Sequence, residues 1–338
     1  MTHASKKWLF GTIKLIIVLL VLWFAGYTLL AARAQLSHST WHCRLAPGWL
    51  VLSGLLYLLG MFFAGLFWYR ILRDLGQEPS LGEALRAYFI GHLGKYVPGK
   101  AMVIVIRAGL LRGPHVDPAA AAAAVFVETM TMMAVGTALG AAIVAWRFPG
   151  QTLLFGGALG MTLISAVPTF PPVFRLAVRL VGFRKWSPMT VDKILGLGYR
   201  TLLWGWILNV PAWLLIGLGL WAALRGIGLD AFEPLRQLPQ YACCVSLATV
   251  FGILSMIPGG FVARDAALAI LIDTLLPQIH GGPAAVANGL ALVASPPALV
   301  ASVILRIVVL ASEAICAGII YPLTFLRPDH AVGRDPRP

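Results

Sequence analysis

Tyr96-Val97-Pro98-Gly99-Lys100, with Arg107 a little further on, and Met256-Ile257-Pro258-Gly259-Gly260, with Arg264-Asp265 behind it, are the two stretches on which the reading of this chain turns. Each sets a Pro-Gly helix breaker and strong charge against sequence that is otherwise apolar. A hydrocarbon interior holds no water for freed backbone groups or bare charges. Broken helices carrying ions are tolerated there only where they line a polar cavity or pack within protein. The two breaks lie 160 residues apart, Pro98 to Pro258, and imply a duplicated architecture of the kind that transporters use.

The rest of the composition agrees with a membrane setting. Of the 338 residues 59% are hydrophobic and 12% charged, against about 25% charged in an average globular protein. Runs such as Leu15 to Leu30 and Thr201 to Leu224 are long enough for a bilayer, which takes about 20 residues to cross. No long polar stretch is left over for a soluble catalytic domain. The net charge of +13 does not point to nucleic acid, because Lys and Arg fall between the apolar runs, where anionic lipid headgroups are the natural partner. The four cysteines, Cys43, Cys243, Cys244 and Cys316, make neither a disulfide framework nor a metal spacing. Lys6 and Lys7 precede an apolar run too long for a signal peptide, with no small-residue cleavage site, so the reading is a retained first span.

About six full spans follow from the apolar runs: Trp8 to Ala32, Trp49 to Leu72, Ala119 to Trp146, Thr152 to Phe170, Arg200 to Leu224 and Ala298 to Phe325. Asp117-Pro118 is a helix start, a capping residue followed by proline at the first helical position. Ser80 and Glu83 form a capping-box pattern opening an amphipathic helix to Val97, with Leu81, Leu85, Phe89 and Leu93 on one stripe. Residues 101–111 are apolar apart from Arg107 and too short to cross. Residues 239–257 form a shorter apolar segment that ends at the second Pro-Gly. The tail, 327–338, reads as disordered.

With the N-terminus cytoplasmic, 18 Lys and Arg fall on the cytoplasmic side and five outside, as the positive-inside rule requires. Both termini are then cytoplasmic, in an inner membrane. Three spans separate the two Pro-Gly elements, so the first enters from the cytoplasm and the second from outside. This is an inverted repeat, about 1–146 and 151–326 within one domain, with two re-entrant hairpins meeting near the midplane. The sequence also accommodates ordinary full spans over residues 239–300.

The charges near the breaks are the candidate site. A helix restarting after a Pro-Gly break aims its N–H groups back at the break, where an anion is favoured. Lys95, Lys100 and Arg107 beside Tyr96, Pro98 and Gly99 suit a phosphate, although the lysines alone could equally anchor headgroups. In the second element Gly259 and Gly260 permit close approach behind Pro258, and Arg264 and Asp265 point in different directions on a helix. Each needs another partner, and the expected pairs are Glu128 with Arg264 or Arg107, and Asp265 with Arg306. Arg306 and Glu313 stand seven residues apart, near one helix face; His92 and His280 are isolated. No phosphate-binding P-loop, nucleophile elbow or HExxH occurs, and no catalytic residue, metal or cofactor is assigned.

At these residues the chain resembles the lysylphosphatidylglycerol synthase transmembrane region. The resemblance rests on Gly94-Lys95-Tyr96-Val97-Pro98-Gly99-Lys100 with Arg107, on Glu128 in the next helix, and on Pro258-Gly259-Gly260 with Arg264-Asp265. The family pattern has Glu where this chain has Asp265. The family includes the flippase half of bacterial multiple-peptide-resistance proteins and stand-alone relatives. The resemblance implies translocation of a membrane lipid: a phospholipid, a polyprenyl-phosphate-linked or a hopanoid-type lipid. It does not imply lysyl transfer, because no aminoacyltransferase domain is present in this sequence. The implied role of Lys100, Arg107 and Arg264 is to hold a lipid phosphate, balanced by Glu128 and Asp265. Two rival readings remain, an accessory membrane subunit working with a pathway enzyme or as a homo-oligomer, and a polyprenyl-phosphate-dependent intramembrane transferase.

Overall fold

In the computed structural model the described residues are 44–96, 101–111, 116–173, 175–176, 192, 195–230, 233–255, 260, 262–276 and 294–322. The expected first span, the two Pro-Gly turns themselves (Val97–Lys100 and Met256–Gly259), most of the basic loop after residue 176, and the tail lie outside them. Among the described residues the chain is all-helical, with no strand. In chain order the helices are α1 (Pro47–Asp74), α2 (Leu81–His92) continued by a 3-10 turn (Leu93–Tyr96), α3 (Ala101–Leu110), α4 (Pro118–Arg147), α5 (Thr152–Ala166) continued by a 3-10 turn (Val167–Thr169), α6 (Tyr199–Gly226), α7 (Leu238–Leu254), α8 (Ala263–Leu275) and α9 (Pro296–Ile320). Five of these, α1, α4, α5 with its turn, α6 and α9, are long and apolar enough to cross a membrane. They coincide with five of the six expected spans, and the chain is a multi-pass membrane protein.

Local chemistry explains where these helices start and stop. Ser80 accepts from Glu83 N–H while the Glu83 carboxylate accepts from Ser80 N–H at 2.9 Å, which closes the capping box that opens α2. Asp117 accepts from Ala119 N–H at 2.8 Å and Pro118 takes the first helical position of α4. Ser295 caps α9 in the same way, with Pro296 and Pro297 inside its first turn. The pair that reads as an interruption of residues 284–326 is therefore a helix start. Helices α1 and α6 both end on a glycine at positive φ, Gly76 (φ 68°) and Gly228 (φ 86°). Gln77 N–H donates to Leu72 C=O and Gly76 N–H to Arg73 C=O; Leu229 and Gly228 repeat the pattern on Leu224 and Arg225. These are Schellman caps, which only a residue free of Cβ strain closes cheaply.

Helices α1 and α6 run antiparallel in close contact. Ala46 N–H meets Gly226 C=O at 2.8 Å at one end, Thr201 Oγ1 donates to Asp74 at 2.8 Å at the other, and Ser53 Oγ donates to Gly219 C=O between them. Without a hydrophobic drive between helices in lipid, small residues that bring backbones together hold such pairs. Trp213 of α6 lies over Gly136 of α4 and donates to Met132 C=O at 3.0 Å. Large apolar side chains face outward instead, among them Val51, Leu55, Leu153, Leu163, Leu203 and Ile319. Aromatic groups mark two levels. At one, Trp49 and Trp221 pack edge-on beneath Arg225; at the other, Arg70 lies over Trp204. Twenty-one residues separate Trp49 from Arg70 on α1, about 31 Å of helix. That matches a hydrocarbon core of about 30 Å bounded by interfacial aromatic belts.

The remaining helices are short. With 12, 10, 17 and 13 residues, α2, α3, α7 and α8 measure about 18, 15, 26 and 20 Å at 1.5 Å per residue. They pair as two hairpins, α2 with α3 and α7 with α8. Chain connectivity starts the first near the C-terminal end of α1 and the second from the C-terminal end of α6, which lies beside the N-terminal end of α1. The packed face of α2 is Ala84, Ala87, Tyr88 and Gly91, while Leu81 is exposed and Leu85, Phe89 and Leu93 are half-buried. In lipid a large apolar side chain loses nothing by facing out, so the small face takes the close contact.

Candidate functional site

In the first hairpin the residue next to the break decides the packing. A Cβ on Gly94 would lie 2.7 Å from Val103 N and 2.8 Å from Met102 C, and a Cβ on Gly91 would meet the Arg107 side chain. Helix α3 therefore lies backbone against backbone on the end of α2, and Arg107 is drawn inward. Its Nη1 lies 3.0 Å from Glu128 Oε2, with both side chains under 5% exposed. The guanidinium also covers the ring of Tyr88 at 4.1 Å and that of Trp68 at 5.1 Å, and Tyr88 Oη donates to Glu128 at 3.2 Å. Of the two partners expected for Glu128, the structure selects Arg107. A buried pair of this kind is retained because either charge alone, stripped of water, costs several kcal/mol.

The tip of the same hairpin reaches α9. Lys95 Nζ sits 2.5 Å from Glu313 Oε1, Tyr96 Oη donates to Glu313 Oε2 at 2.8 Å, and Tyr57 Oη donates to Oε1. His92 Nε2 stands 3.6 Å from the same carboxylate. Glu313 is buried, whereas the Lys95 side chain keeps 26% of its surface open. Tyr57 lies eight residues along α1 from Trp49, about 12 Å below that belt. The cluster thus sits near the middle of the membrane-spanning length.

The second hairpin docks on α9 two turns earlier. Arg306 Nε meets Asp265 at 2.7 and 2.9 Å, and its Nη2 donates to Gly260 C=O at 3.3 Å. The expected Asp265–Arg306 pair forms. Gly252 of α7 receives Arg264 of α8, whose Cβ would lie 2.7 Å from an added methyl group. The hairpins share a plan: a glycine before each break accommodates an arginine after it, Gly91 with Arg107 and Gly252 with Arg264. They differ in the next step. Arg107 has Glu128, whereas Arg264 makes no hydrogen bond or ion pair among the described residues. Partly exposed, it lies within electrostatic reach of Tyr57, His92, Lys95, Tyr96 and Arg306.

Of the residues expected at the site, Lys95, Tyr96, Gly260, Arg264, Asp265 and Arg306 are gathered along α9, with Arg107 and Glu128 forming a separate pair behind the first hairpin. Pro98, Gly99, Lys100, Pro258 and Gly259 lie outside the described residues. The family model for the lysylphosphatidylglycerol synthase TM region matches residues 11–295, most of the chain. The chain belongs to that family. No curated protein and no solved structure matches it significantly. Membership in the lysylphosphatidylglycerol synthase TM family ties the chain to membrane lipid.

Sequence reasoning left Glu313 outside the site, although a carboxylate inside an apolar helix and seven residues from Arg306 carried a signal. Tyr57, Trp68 and Tyr88 carried none. Aromatic residues within apolar helices read as packing, and their hydrogen bonds and cation contacts arise only when α1 and α2 meet α3, α4 and α9.

Proposed function

We propose that this chain translocates a phosphate-bearing lipid between the leaflets of an inner membrane, with the headgroup passing through the polar cluster where the two hairpin tips meet on α9. The observation that carries this reading is Arg264. A cation with no anionic partner among the described residues, within electrostatic reach of Lys95, is costly in a membrane unless a ligand or water completes it. A lipid phosphate does so with charge-assisted hydrogen bonds. Four helices too short for a 30 Å core, arranged as two hairpins with the same glycine–arginine plan, support an inverted duplication of re-entrant elements. On this reading Arg107–Glu128 and Asp265–Arg306 hold the hairpins in shape, while Lys95 and Arg264 hold the ligand. A phospholipid or a polyprenyl-phosphate-linked lipid carries the phosphate this requires. Mass spectrometry of lipid retained through purification tests it. Wild type is expected to retain an anionic lipid that Arg264→Gln loses; equal retention by both would contradict the assignment.

A further inference from the structure

The geometry points to Glu313 as the carboxylate that couples movement of one phosphate-bearing lipid to movement of one proton. This rests on the transport reading above and goes on to the energy source. Glu313 receives Lys95 and Tyr96 from the end of the first hairpin's leading helix and Tyr57 from α1. His92 of α2 faces it at 3.6 Å; Cys316 lies on its own helix, and Arg264 and Arg306 act at longer range. Among the described residues, the cations that could hold a phosphate here, Lys95 and Arg264, are thus shared with Glu313 or lie near it. A phosphate arriving at Arg264 and Lys95 puts a second anion into a buried cluster. It takes Lys95 Nζ as its partner and leaves the Glu313 carboxylate without its closest counter-ion. Two anions so close in low dielectric favour protonation of one. Glu313, now without Lys95, takes the proton.

The step balances. A proton leaves water on the side from which the lipid enters and bonds to a Glu313 oxygen, with His92 Nε2 positioned to pass it. The hydroxyl of Tyr57 or Tyr96 turns from donating to the carboxylate to accepting from the new acid O–H. When the lipid leaves on the other side, Lys95 returns to Glu313 and the proton goes to water there. The loaded cluster gains one negative and one positive charge, so its net charge is constant through the cycle. By reciprocity, a lipid that raises proton uptake is itself bound more tightly where protons are abundant.

Two measurements with phosphatidylglycerol as the probe test this. Calorimetric binding to the purified full-length protein in buffers of different ionisation heat counts protons. Wild type is expected to take up about one per lipid, and Glu313→Gln none. In proteoliposomes a gradient of one pH unit, which is a tenfold difference in proton activity, is expected to drive up to about tenfold lipid asymmetry between leaflets. Binding without proton uptake, or transport of labelled phosphatidylglycerol at the same rate and extent with and without the gradient, would overturn the coupling and leave the transport reading standing. The wild-type comparison needs no variant, so poor folding of Glu313→Gln does not blunt it. Neither binding nor movement of any anionic lipid would overturn both.

Discussion

Arg107 and Arg264 stand at matching places in the two hairpins and meet opposite fates. Arg107 is fully buried, paired with Glu128 and covered by two aromatic rings. Arg264 is partly open and has no partner among the described residues. Their substitution should therefore separate stability from function. Glu128→Gln leaves a bare guanidinium in the core and is expected to destabilise the protein by about 3–5 kcal/mol. Arg107→Met with Glu128→Met should cost less than the sum of the two single changes, because the pair falls together. Thermal unfolding in detergent, read as a double-mutant cycle, measures this. Arg264→Gln breaks no hydrogen bond or ion pair among the described residues and should leave the unfolding temperature unchanged while abolishing lipid retention. The paired charges were legible in sequence because ions inside apolar runs demand partners; Asp265 with Arg306 was readable outright. The choice between Arg107 and Arg264 for Glu128 was not, since it depends on Gly91 letting α3 approach α2.

Glycines decide the hairpins at the scale of elements. Any side chain on Gly94 collides with the backbone of α3, whereas a Cβ on Gly156 of α5 meets nothing within 4 Å. Gly94→Ala is expected to lower the unfolding temperature by several degrees, and Gly156→Ala, in the exposed helix α5, to leave it unchanged or slightly raised. Only the packing tells that one is a contact between backbones and the other faces outward. The same rule shapes α2, whose stripe Leu81, Leu85, Phe89 and Leu93 read as the apolar side of an amphipathic helix. Here Ala84, Ala87 and Gly91 turn inward because the surroundings are themselves apolar. The caps read at Ser80 and Asp117 form, since they act on their own backbone neighbours.

At the scale of the molecule, the antiparallel α1–α6 pair spans about 31 Å between its aromatic levels. Arg225 and Arg73 should then lie on opposite faces of the membrane. Single cysteines placed there, in a background without the native ones, are expected to react with an impermeant maleimide from opposite sides of oriented vesicles. Labelling of both from one side would contradict the crossing. Long apolar runs made this level of the fold legible, five spans falling where hydropathy puts them. Charge counting and the two Pro-Gly signals raised the expectation of two re-entrant hairpins meeting near the midplane; the turns themselves lie outside the described residues. The part played by Glu313, which receives the first hairpin as Arg306 receives the second, came only from the assembled helices. If the cluster on α9 passes a lipid headgroup across the membrane, as proposed, labelled phosphatidylglycerol should change leaflet in proteoliposomes at a measurable rate. Wild type is expected to move it well above protein-free vesicles, and Arg264→Gln to lose at least about tenfold, the scale of one charge-assisted hydrogen bond. Wild-type movement no faster than in empty vesicles across several anionic headgroups, or an Arg264→Gln rate equal to wild type, would contradict it.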